Sequence, residues 1–136
     1  MDALNTTYDE IYKSFIINCK VDPSDLPDTN EKRYDAINNA VMYFNNRLRR
    51  KIECNDQKEE VSEKLSQDDL LVLANYIKLI FLENEETEFT SIYGVFAKEL
   101  GFRNYKDQVS AKKNIILRQK KKIDDLILNS ITTWEV

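Results

Sequence analysis

Residues 70–82, LLVLANYIKLIFL, leave a helix no side to show to water. At 100° per residue Leu70, Leu73, Ala74, Ile77, Ile80 and Phe81 share one face, while Leu71, Val72, Leu79 and Leu82 occupy the other. Each large apolar side chain left wet forfeits about 1.5–3 kcal/mol, so the segment has to be enclosed by its own bundle or by a neighbouring subunit. Leu71, Val72, Leu79 and Leu82 are therefore the candidates for a subunit interface. Ser66, with Asp68 and Asp69 behind it, supplies an N-cap and places acids at the positive end of the helix dipole. This pattern predicts a helix from Ser66 to about Asn84.

The rest of the chain reads the same way. Glycine and proline occur twice each in 136 residues, too few turn formers for a sandwich or barrel of short strands. Thr7 and Glu10 form a capping box ahead of Ile11, Phe15 and Cys19, predicting a helix over 7–20. Residues 21–29 hold both prolines and three aspartates and predict a loop. Tyr34, Ile37, Val41, Phe44, Leu48 and Ile52 step by three and four, predicting a helix from Asn30 to about Glu53. A polar connector near 55–64 follows. Residues 83–88 read as an acidic corner, and Phe89, Ile92, Tyr93, Phe96 and Leu100 as a further helical stripe ending at Gly101. A long helix is predicted from Tyr105 to about Ser130, then a tail over 131–136. The expectation is an all-α, single-domain helical bundle of four to five helices spanning 1–136, large enough to bury roughly 68% of its unfolded surface.

Several chemistries drop out. There is no histidine, and Cys19 and Cys54 are the only thiols, so zinc sets, triads and imidazole bases have no ligands or bases to draw on. Both cysteines read as small buried apolar residues. Gly94 and Gly101 assemble no phosphate-cradling loop. The paired carboxylates Glu59-Glu60, Asp68-Asp69 and Asp124-Asp125 are explained by a polar loop, helix capping and an exposed flank. No catalytic residue, cofactor or metal is expected, and the chain reads as a non-enzyme. No apolar run reaches the length of a membrane span, and the first twenty residues carry acids where a signal peptide is basic, so a cytosolic site of synthesis and no membrane partner are expected.

Charge is segregated along the chain: residues 31–58 carry a net +3, 59–90 a net −7 and 91–136 a net +4. Arg47 and Arg50 lie opposite the apolar stripe of the second helix, and Arg118, Lys121 and Lys122 opposite that of the last. These five form a charged face open to three readings: plain solvation, an acidic protein partner, or the phosphates of nucleic acid. Tyr43, also off its stripe, is an interface candidate. Trp134, with Ile131 and Val136, has a large apolar area to bury, either on its own bundle or on another subunit.

Two stretches together resemble a known family: the apolar helix containing Leu73-Ala74, and the segment Tyr105-Lys106, Ser110 and Ala111 before a long helix. They are similar to the head-tail connector, or head-completion, proteins at the neck of tailed bacteriophages, over roughly residues 34–131. The pattern departs at Phe81, where a tryptophan is common, and at Lys113-Asn114, where an asparagine-histidine pair is common. The resemblance implies a virion subunit assembled as a homo-oligomeric ring, commonly a dodecamer, beneath the portal protein. Such a ring extends the channel for genomic DNA and presents a surface to the next neck or tail protein, and Ile131, Trp134 and Val136 become the candidates for portal docking. Outside that resemblance the alternatives are a soluble helical interaction or regulatory module and, third, a DNA-binding regulator.

Overall fold

The computed structural model describes residues 4–19, 29–94 and 101–132, with the side chains of residues 104–129 in the last stretch. Four helices and one small hairpin make up these residues: α1 (Tyr8–Cys19), α2 (Asn30–Leu48), β1 (Cys54–Asn55), β2 (Glu60–Val61), α3 (Gln67–Tyr93) and α4 (Phe102–Thr132). The all-α expectation holds apart from that hairpin. The loop expected at 21–29 falls, up to residue 28, outside the described residues, as do Phe96, Leu100, Trp134 and Val136.

Local chemistry starts α1, α2 and α3. Thr7 Oγ1 accepts from the backbone N–H of Glu10 at 3.2 Å, and Thr29 Oγ1 from that of Lys32 at 3.2 Å. Ser66 opens α3 with a reciprocal box, its hydroxyl accepting from Asp69 N–H while the Asp69 carboxylate accepts from Ser66 N–H. The periodicity of α2 predicted a helix to about Glu53, yet it stops at Leu48 because Arg49 turns left-handed, φ 56°. The Asn45 carboxamide then clasps Ile52 from both sides, donating to its carbonyl at 2.9 Å and accepting from its N–H at 3.0 Å. Ile52 still reaches the core, which is why its spacing mimicked another helical turn.

The polar connector is more ordered than its composition announces. Cys54 pairs with Val61 and Asn55 with Glu60, and Thr7 bridges to Glu60 on the outer edge. Buried Thr6 ties this corner together: its N–H donates to the Glu63 carbonyl, its carbonyl accepts from Val61, and its hydroxyl accepts from Leu65 at 2.8 Å.

The core answers the problem posed by residues 70–82. Helix α3 is flanked by α1, α2 and α4, three neighbours for a segment with no polar face. Ile11 and Phe15 of α1, Ile37 and Phe44 of α2, Leu73 and Ile77 of α3 and Ile123 of α4 are almost wholly buried. Each contributes about 1.5–3 kcal/mol by leaving water. The chain thus supplies this enclosure itself.

Residues 83–88 are a correction: they continue α3 without a corner, so α3 is a single helix of 27 residues. The acids hid the stripe, but Leu82, Glu86 and Phe89 keep the i, i+4, i+7 spacing, and no glycine or proline interrupts before Gly94. At 1.5 Å per residue α3 is about 40 Å long and the 31-residue α4 about 46 Å, against about 18 Å for α1. Ile131 and Thr132, expected in the tail, are the last residues of α4.

Candidate functional site

Helices α3 and α4 run antiparallel in a fixed register. Gln119 donates to the Asn75 carbonyl at 2.9 Å and to Asn75 Oδ1 at 3.0 Å, while Asn75 Nδ2 donates to the Leu71 carbonyl at 2.8 Å. Fourteen residues further out on each helix Phe89 stacks on Tyr105, ring centroids 5.8 Å apart. Fourteen residues are close to four helical turns, so both contacts fall on one face. The pair is a straight hairpin whose outer part, from about residue 83 on α3 and up to about 115 on α4, overhangs the body as an arm. Its side chains there are largely half-buried or exposed.

At the arm's end Phe89 lies between Tyr93, centroids 5.0 Å away, and Tyr105, with the Lys112 ammonium 5.1 Å over its ring. Phe89, Tyr93, Asn104, Tyr105 and Gln108 line a shallow hollow of about 350 Å³. A second hollow of about 380 Å³ lies where α2 and α4 straddle α3. Its floor is Tyr76, Leu79 and Ile123, and Tyr43 stacks on Tyr76 at 6.1 Å. Glu83, Lys120 and Asp124 form its rim. Burial pushes the Tyr76 phenol above its ordinary range. These groups offer apolar contact and surface charge, and no nucleophile stands beside a base.

The candidate residues from the sequence separate into distinct places. Val72 and Leu79 are core, 4% and 6% exposed, and Leu71 and Leu82 are half-buried, so the apolar second side of α3 is mostly spent within the chain. Tyr43 is 40% exposed and shares the α2–α4 hollow with Leu79. Arg47 reaches Asp124 at 3.7 Å, an exposed pair worth about 0–1 kcal/mol. Arg50 turns inward: it pairs with Glu63 and, at 3.4 Å, with Asp69, and lies 5.6 Å over the Phe44 ring. It ties the connector to the start of α3, and the Glu63 hydrogen bond is the main reason its pKa is raised. Arg118, Lys121 and Lys122 are exposed on α4. The backbone of Ile131 is helical.

Sequence reasoning missed Tyr76, Ile123 and Asp124 as partners of Tyr43 and Arg47, since nothing in one-dimensional spacing says which helices straddle which. It also missed the Phe89–Tyr105 contact, although the aromatic residues on either side of Gly94 and Gly101 were its signal. Both cysteines are free thiols; Cys19 is buried and Cys54 half-buried, and burial raises both pKa values. Among the described residues no group of three or more histidine, cysteine or acidic side chains is placed to hold a metal ion. No described helix is long and apolar enough to cross a membrane.

The model of the YomZ prophage protein family matches residues 4–132. The SPbeta prophage-derived protein YomZ of Bacillus subtilis (strain 168) is 38% identical over 129 residues, covering 95% of this chain and 98% of its own. No solved structure matches the chain. A match across nearly the whole length of both chains places every element described above inside the shared region, and the chain belongs to the YomZ prophage protein family, a family of phage origin.

Proposed function

We propose that this phage protein is a non-catalytic structural subunit of the virion neck, forming a ring between the portal vertex and the tail and continuing the DNA channel. The observation that carries the reading is the overhanging α3–α4 arm. Two helices of about 40 and 46 Å extend past a body that α1 and α2 complete, so a large part of their surface finds no partner among the described residues. A protein that works by contact has a use for such a surface. The phage origin of the family and the resemblance of residues 34–131 to neck proteins support the same reading. Its partners are further copies of itself, the portal protein and a downstream neck or tail protein, with genomic DNA passing through the lumen. Ile131, Trp134 and Val136 are the proposed portal contacts, and the protein is made in the host cytoplasm and ends in the virion.

The test is the composition of purified particles after prophage induction, measured by quantitative mass spectrometry. The expected result is this chain at several copies per particle, in proportion to the portal protein, and DNA-filled heads lacking tails when the gene is deleted. Absence from particles, with normal tailed virions in the deletion, overturns the reading. It would favour a soluble helical interaction module, for which the self-contained core of α1–α4 is the supporting observation.

A further inference from the structure

Because α3 and α4 face each other through Asn75–Gln119 and Phe89–Tyr105, their outer edges point away from each other. The two edges differ in charge. Glu85, Glu88 and Ile92 lie at i, i+3 and i+7 on the α3 edge, and Lys113, Leu117 and Lys121 at i, i+4 and i+8 on the α4 edge. All six are exposed, with Ile92 at 48% and Leu117 at 61%. None of the four charged groups has an ion-pair partner among the described residues. We infer that the α3–α4 hairpin binds a second copy of this chain, the acidic α3 edge on the arm of one copy lying against the basic α4 edge of the next, which runs from the arm at Lys113 into the body at Leu117 and Lys121, with Ile92 and Leu117 buried in the contact.

The charge distribution selects both the partner and the geometry. Duplex DNA complements Lys113 and Lys121 alone and leaves Glu85 and Glu88 without a partner. A second copy meets those acids as the complement of its own lysines. Edge-to-edge pairing through a two-fold axis sets acid on acid or base on base, so the favourable contact is heterologous, of the kind that propagates until it closes as a ring. Counted from the Phe89–Tyr105 register, Leu117 stands level with Ile77, fifteen residues or about 22 Å down α3 from Ile92. Neighbouring arms are therefore offset, each leaning over the base of the next. The inference deepens the neck reading, and rests on it for the closure of the ring.

Sedimentation velocity of the full chain at low and high salt tests the contact, with Glu85→Lys/Glu88→Lys and Lys113→Glu/Lys121→Glu as variants. Wild type is expected to self-associate more strongly at low salt. Each variant alone should associate at least tenfold more weakly with unchanged helicity by circular dichroism, and an equimolar mixture of the two should regain association. A wild type monomeric at every concentration, or association indifferent to both reversals, overturns the inference. So does a monomeric wild type that binds a duplex DNA oligonucleotide through Lys113 and Lys121. Particle composition separates the two claims: a chain present in virions but indifferent to the reversals loses the arm contact alone, whereas a chain absent from virions loses the neck reading.

Discussion

Arg49 and Glu59 hold φ angles of 56° and 52°, where a side chain costs roughly 1–2 kcal/mol and glycine costs nothing of the kind. At Arg49 the turn ends α2 and lets Asn45 clasp Ile52, and among the described residues no contact of its side chain requires arginine. Arg49→Gly should therefore stabilise the fold by about 0.5–1 kcal/mol in urea denaturation, the relief being partly offset by the freer unfolded chain. Around the hairpin, buried Tyr8 donates its hydroxyl to Asp56, which also accepts from Asn38 at 3.0 Å. These two hydrogen bonds, Tyr8 first, hold the Asp56 carboxyl below its ordinary value of 3.8. Its contribution to stability is present above that value and is lost as pH falls through the lower folded value. Burial first, and then the Asp56 hydrogen bond, push the Tyr8 phenol far above its ordinary 10.0, so stability is also lost as pH climbs past 10. Urea midpoints measured against pH should fall at both ends, and Tyr8→Phe should flatten both limbs while lowering the plateau between them.

Among elements, the α3–α4 hairpin has its alignment set by one buried polar pair inside an apolar seam. Asn75 is fully buried and Gln119 is 5% exposed, and each uses the other to avoid an unsatisfied carboxamide. Gln119→Leu should cost about 1–3 kcal/mol by orphaning Asn75 Oδ1, and adding Asn75→Ala should recover part of that loss. Denaturation of the four members of this cycle measures the coupling, and strictly additive losses would contradict it. The helices themselves were legible because their stripes and caps are local: Thr7 and Ser66 cap where their sequence context says they should, and Thr29, read as the end of a loop, caps α2. What was not legible came from non-local partners. Two-residue strands carry no alternation to detect, so the Cys54–Val61 pairing was invisible. The acids at 83–88 concealed a continuous α3 because apolar spacing thins out where a helix leaves the core. Arg50 looked like a free basic residue because Glu63 and Asp69, which claim it, lie beyond a connector whose path spacing does not encode.

For the whole molecule, the enclosure that residues 70–82 demand is met by α1, α2 and α4, which moves the question of partners from the centre of the bundle to its periphery. Leu79 shows the consequence, since a substitution there disturbs the protomer's own core before it disturbs any assembly. The outward-facing apolar residues are instead dispersed, among them Leu4, Ile17, Met42, Ile92, Leu117 and Leu128; Ile92 on the arm follows Glu85 and Glu88, and Leu117, where α4 enters the body, lies between Lys113 and Lys121. A core closed by α1–α4, with oppositely charged edges on α3 and α4, suits a subunit that assembles with further copies of itself. On the proposed function the chain acts by assembling on the portal. Light scattering of the purified chain alone and mixed with portal protein weighs that claim most directly. A discrete complex carrying many copies of the chain per portal is the predicted result, and a chain that elutes as an unchanged monomer beside an unaltered portal peak would contradict it.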